Sequence, residues 1–208
     1  LPISDMEYSF MLEQDLITAS AEDDIICAAA YAGEELAAGT FKTDFQRTSF
    51  TSCRFAGCDF SGSSFFDTSF TNCDFSNSRF SGCYFKNCSM NGCKGDGCDF
   101  SQSTFIASVL EKGTYCYGNF SNTLWKDSSI VQAKLCMAYL SDSKFKKLKF
   151  DQVDLTRAEF FHTSLKGVDL SGCLIEGITV SESFSELRGL KIDASQALDI
   201  ALLLGVKI

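Results

Sequence analysis

From Phe45 to Val180 every fifth residue is large and apolar, in one register. The series opens Phe45, Phe50, Phe55, Phe60, Phe65, Phe70, Phe75, Phe80, Phe85 and Met90. Gly95 breaks it once, and it resumes through Phe100, Phe105, Phe120, Trp125 and Phe160 to Val180. Two residues before each member sits a second register, almost all small, as in Cys53, Cys58, Ser63, Thr68, Cys73 and Ser78. No charge enters either register. A helix repeats near 3.6 residues and a strand at 2, so a period of five is neither. Four pentads make twenty residues, enough for one square turn of a coil. The large residue then points inward at each face centre, the small one points inward near a corner, and the other three face water. Successive turns pair like parallel strands about 4.8 Å apart. The pattern therefore places Phe60, Phe80, Phe100 and Phe120 in a structural core, with Gly95 and Tyr115 as its one irregularity.

The stretches CDFSG (58–62), CDFSN (73–77), CDFSQ (98–102), VDLTR (153–157) and VDLSG (168–172) closely match a known consensus. The chain resembles the pentapeptide-repeat proteins over about residues 41–192. That resemblance implies an all-β solenoid, a right-handed quadrilateral β-helix. About seven turns at the strand spacing give a rod roughly 34 Å long.

Other features agree with one such rod. A length of 208 residues suits a single domain. One proline is expected, because each turn needs its backbone donors for the next. No long apolar run marks a membrane span, and an acidic N-terminus argues against a signal peptide. The chain starts at Leu1 without a methionine, so residues can precede it.

Eight of the eleven cysteines occupy the small inward position: Cys53, Cys58, Cys73, Cys83, Cys88, Cys93, Cys98 and Cys173. Serine, threonine, alanine and valine fill the same slot elsewhere, so each reads as a small buried hydrophobe. Cys83 to Cys98 occupy one whole turn, but zinc motifs use closer cysteine pairs. A disulfide between stacked residues such as Cys73 and Cys93 is open on distance. So many unpaired thiols fit a reducing cytoplasm. The only histidine, His162, lies in an outward slot, and no phosphate-binding glycine loop is present. The expectation is a non-enzyme without cofactor, metal, membrane or direct nucleic-acid contact.

The break in register has a local reading. Gly95 and Tyr115 are twenty apart and stack on one face, so Tyr115 should lean into the space over Gly95. A functional kink is the alternative.

The ends differ from the rod. Residues 1–40 carry nine acids and no lysine or arginine, which accounts for the whole formal charge of −9. Ser20 and Asp23 resemble a capping box and Gly39 a helix stop, predicting a helix over Ala21–Ala38 that caps the first turn. Ile25, Ile26, Ala29 and Leu36 would face the rod. At the other end, Asp193 or Ser195 can start a helix and Gly205 can end it, with a short strand over Val206–Ile208. This module, GLKI before the helix and GVKI after it, resembles that of the quinolone-resistance pentapeptide-repeat proteins. The segment LCMAYL (135–140) is similar to one of theirs. The resemblance implies a homodimer through the C-terminus and a DNA mimic that binds DNA gyrase or another type II topoisomerase. The residues Leu198, Ala201, Leu202, Leu203, Val206 and Ile208 would form the dimer interface, with a purely intrachain cap as the alternative.

The charges of residues 41–208 sum to zero, and no single acidic face is evident. One row of outward slots is apolar: Phe66, Tyr84, Ile106 and Leu124, continued by Lys126, Lys144, Lys146 and Lys166. The row is a candidate partner surface, or else Tyr8, Phe10, Met11 and Leu12 fold back over it. Two functions remain: a topoisomerase-binding DNA mimic that affects quinolone susceptibility, and a scaffold for an unrelated partner.

Overall fold

The computed structural model describes residues 11–207, and in it the chain winds as a square, right-handed coil. One face is a seven-stranded parallel sheet: β1 (Ile25–Cys27), β3 (Asp44–Gln46), β5 (Ser64–Phe66), β7 (Tyr84–Lys86), β9 (Thr104–Ile106), β11 (Leu124–Lys126) and β13 (Lys144–Lys146). The adjoining face is a second: β2 (Ala30–Ala32), β4 (Ser49–Thr51), β6 (Ser69–Thr71), β8 (Ser89–Asn91), β10 (Val109–Glu111), β12 (Ser129–Val131) and β14 (Lys149–Asp151). The other two faces are joined by single bridges such as Arg54↔Asp74 and Asp59↔Arg79, running on to Asp169↔Lys191. Each turn donates its backbone to the next, as Phe75 N–H does to Lys94 O at 2.6 Å. Seven strands per sheet span a little over six turns, slightly fewer than the seven expected, and they start earlier, at Ile25.

The earlier start corrects the expected helix over 21–38. Helix α1 is Met11–Glu22, and residues 25–42 form a further turn of the coil. Its centres are Ile26, Tyr31, Leu36 and Phe41. Ile26 pairs with Phe45, nineteen residues on, whereas Phe45 pairs with Phe65, twenty on. One residue is missing between Phe41 and Phe45, so the period of five loses phase there. Of the residues expected to face the rod, Ile26 and Leu36 are buried, while Ile25 points out and is 50% exposed. The helix does cover the open end, burying Leu12, Leu16 and Ala19. Tyr31 donates to Asp15 Oδ2 at 2.7 Å and holds it there.

The corners have a backbone cause. The residue two after most face centres is left-handed, with φ of 50° at Asp67, 54° at Asn72 and 57° at Asn77. Aspartate and asparagine tolerate that region and alanine does not. Exposed Ala107 nevertheless sits there, at φ 48°. Ala107→Gly is expected to raise stability by roughly 0.5–1 kcal/mol, after allowing for glycine's extra chain entropy. Denaturant unfolding measures it, and a loss of stability would refute the strain.

The Asp-Phe-Ser signature is also local chemistry. Asp59 Oδ1 accepts the Ser61 N–H at 2.9 Å, and Asp74, Asp99 and Asp169 repeat this at 3.0 Å with Ser76, Ser101 and Ser171. Hydrogen bonding from Ser61 holds the Asp59 carboxyl below the usual carboxylate range. The small inward position has a matching role. Ser103 Oγ donates to Phe80 O at 2.6 Å and Cys83 Sγ to Phe60 O at 3.0 Å. A hydroxyl, or more weakly a thiol, can donate to the previous turn from this position. Burial pushes the Cys83 thiol up to about 12 and Cys88 to about 11, which keeps both protonated.

All eight inward cysteines are free and buried. The bridge that does form joins Cys116 to Cys136, in outward slots of adjacent turns, rather than a pair like Cys73 and Cys93. Twenty residues apart, they stack with Cα atoms 4.6 Å from each other. The coil itself thus brings the two sulfurs within bonding reach.

At the C-terminal end, Ser185–Leu187 is a short 3-10 turn and α2 is Ala197–Leu203. Asp193 Oδ1 accepts the N–H groups of Ser195 and Gln196, and left-handed Gly205 ends the helix. Gln196 anchors the module by donating to Leu170 O and Cys173 O. No strand forms over 206–207, against expectation, and Ile208 lies outside the described residues.

Candidate partner surface

Because side chains alternate along a strand, each strand of the first sheet turns its middle residue inward and its two outer residues to solvent. The paired register then builds two outward columns. One runs Ile25, Asp44, Ser64, Tyr84, Thr104, Leu124, Lys144. The other runs Cys27, Gln46, Phe66, Lys86, Ile106, Lys126, Lys146. Phe66, Tyr84, Ile106 and Leu124 therefore share this face, alternating between columns. All four are half-buried, and the Phe66 and Tyr84 rings lie 5.6 Å apart. They lean on one another, which reduces the apolar area open to water.

The lysines lie further along. Lys126 stands directly opposite Lys146 on paired strands, and Lys144 opposite Leu124. Like charges directly opposite are destabilising. Lys86, Lys126, Lys144, Lys146 and Lys166 are exposed and make no ion pair among the described residues. Neighbouring Lys147 does pair, with Asp127 at 3.3 Å.

Expected cover from the N-terminal segment takes another form. Leu12 is buried against the first turn, while Met11 is 46% exposed. Tyr8 and Phe10 lie outside the described residues. Sequence reasoning missed the other end of this face. Ile25 and Cys27 belong to it, flanked by exposed Glu22, Asp23 and Asp24. Arg47 reaches back to Cys27, with Nη2 3.1 Å from Sγ. The signal was available: Ile26, Tyr31, Leu36 and Phe41 repeat at five, one residue out of phase.

The expected dimer residues divide. Leu198, Leu202 and Val206 are about half exposed, Ala201 and Leu203 partly covered, and Ile200 and Leu203 pack toward the core. Helix α2 has no fully buried residue. Tyr115 is buried beside Gly95, and its hydroxyl has no partner. Among the described residues no helix is long and apolar enough to cross a membrane.

Family models decide the identity. One described as a pentapeptide repeat region matches residues 63–138, and one described as pentapeptide repeats in eight copies matches 43–82 and 138–177. Together they run without a gap from 43 to 177. The chain belongs to the pentapeptide-repeat family. Among solved pentapeptide-repeat structures, HetL from the cyanobacterium Nostoc sp. strain PCC 7120, involved in heterocyst differentiation regulation, is 11% identical with a TM-score of 0.52, covering 86% of this chain and 93% of its own. A trypsin-treated form of QnrB1, a plasmid-mediated fluoroquinolone resistance protein, is 21% identical with a TM-score of 0.40, covering 88% and 99%. A protein of the Arabidopsis thaliana thylakoid lumen is 12% identical with a TM-score of 0.40, covering 58% and 70%. No curated protein matches. At these identities the likeness is one of fold.

Proposed function

We propose that this pentapeptide-repeat protein is not an enzyme and works by protein–protein contact through the outer face of its first sheet. The observation that carries this reading is the row Phe66, Tyr84, Ile106, Leu124 followed by lysines without acidic partners. An apolar row beside unneutralised charge is what a partner surface holds and a solvated face lacks. The test is Phe66→Ser with Leu124→Ser. Thermal stability should hold within about 1 kcal/mol, because both side chains are only half-buried, while partner capture is lost. Unchanged capture would refute the reading.

A narrower reading follows from the C-terminal module. GLKI and GVKI bracket α2 as in the quinolone-resistance members, which supports a homodimer through Leu198, Ala201, Leu202, Leu203, Val206 and Ile208. It also supports a DNA-mimic role at DNA gyrase or another type II topoisomerase. A gyrase supercoiling assay with and without quinolone tests that role, and no inhibition or protection would refute it. The charge pattern favours the broader scaffold reading, because mimicry needs continuous negative potential and the first sheet ends in lysines. Nine of the eleven cysteines are free, which fits a reducing cytoplasm, where the outward Cys116–Cys136 pair would stand as two thiols. For the dimer, light scattering at micromolar concentration is expected to give twice the chain mass. Leu198→Ser with Leu202→Ser should return it to one chain without unfolding it, and a wild-type monomer would refute the dimer.

A further inference from the structure

The outer face of the first sheet is graded in charge. Exposed Glu22, Asp23 and Asp24 stand at the β1 end, beside half-exposed Ile25, and Asp44 follows on β3. Lys126, Lys144, Lys146 and Lys166 stand at the β11–β13 end without acidic partners among the described residues. Phe66, Tyr84 and Ile106 occupy β5, β7 and β9, the three central strands of seven. Of the minority charges, Asp127 pairs with Lys147 and Asp142 lies against His162, while Arg47 reaches only the Cys27 thiol and exposed Lys42 and Lys86 make no ion pair among the described residues.

We propose that this face is self-complementary and that two copies of the chain pair through it, side by side and antiparallel. The inference rests on the reading of this face as a partner surface, and it names the partner. A two-fold axis through β7 sets β1 of one copy against β13 of the other, β3 against β11 and β5 against β9. The acidic end of each copy then meets the basic end of the other, twice. Phe66 faces Ile106, and Tyr84 faces its own copy. A closed two-fold contact requires each patch to find its complement on the same surface, and the two charged ends and the apolar middle meet that condition, while Lys86 on β7 faces its own copy at the axis and is the one opposed charge. A nucleic acid fits less well, since a chain of net charge −9 repels a polyanion at range.

The face is narrow, about 15 Å by 30 Å, well below the ~800 Å² per partner of a standard interface, so the pairing is weak. It is distinct from α2 and is read in the full chain carrying Leu198→Ser and Leu202→Ser. Sedimentation velocity at about 100 µM and 20 mM salt should show a dimer that weakens at least tenfold at 300 mM salt, since surface charge pairs are screened. Lys144→Glu with Lys146→Glu should abolish it, as should Glu22→Lys with Asp23→Lys. Mixing the two variants, or combining all four changes in one chain, should restore it. Restoration is the readout that damage to the fold cannot imitate. A monomer at low salt, or a dimer indifferent to Lys144→Glu with Lys146→Glu, overturns the proposal. Failure of the mixture to restore the dimer overturns the antiparallel arrangement. If self-pairing fails while Phe66→Ser with Leu124→Ser still abolishes capture of another protein, the face remains a partner surface and only its occupant was wrong.

Discussion

Phe80→Ala is expected to lower stability by about 3–5 kcal/mol, with Phe100→Ala close behind. Phe80 is 1% exposed and surrounded by rings. It stacks between Phe60 at 5.4 Å and Phe100 at 5.0 Å, and takes the edge of Phe75 at 5.4 Å. Truncation removes this contact area and leaves a cavity in a rod whose backbone cannot collapse, because every turn is bonded to both neighbours. At roughly 2–4 °C per kcal/mol for a chain of this size, the midpoint should fall by about 6–20 °C. Phe145→Ala is the internal control. Phe145 is only half-buried, with one aromatic neighbour, Phe150 at 5.8 Å, so its loss should be about half as large. Equal effects at Phe80 and Phe145, or none at Phe80, would mean that burial at face centres does not set stability.

The second large effect is expected at Gly95. A Cβ there would lie 2.5 Å from Tyr115 Cδ1 and 3.2 Å from Cys98 Sγ. The ring's other edge lies close over Gly113, where an added Cβ would stand 2.6 Å from Tyr115 Cε2. Tyr115 is thus clamped between two glycines, fully buried. Gly95→Ala should cost about 3 kcal/mol, the upper range for overpacking. In a double-mutant cycle, Tyr115→Leu should recover much of that cost, giving a coupling of about 1–2 kcal/mol. Strict additivity would show that the tyrosine does not occupy the glycine's space.

Some features were legible because they are local. Face centres, small inward positions and the Asp-Phe-Ser turns each depend on residues within one pentad, so the pattern reports them directly. The Gly95–Tyr115 complement was legible too, since twenty residues is one turn and stacking follows by arithmetic. The first turn was not. Ile26, Tyr31, Leu36 and Phe41 keep the period but sit one residue out of phase, and Glu34 occupies an inward slot where no charge was expected. Glu34 is nonetheless buried, with its carboxyl raised by desolvation. Ser20 with Asp23 as a cap and Gly39 as a stop suggested a helix there, and pairing with the next turn outweighed those local signals. The Cys116–Cys136 bridge was missed because outward slots were read as solvent.

The partner surface divides in the same way. Sequence alone put Phe66, Tyr84, Ile106 and Leu124 in outward slots of one face, because five and twenty fix both face and turn. Only the tertiary structure decided that the acidic N-terminal residues head that same face. The reason is register. A periodic sequence determines what points inward within each turn. The phase between turns, set by one missing residue near Phe41, is an energetic outcome of stacking the whole coil.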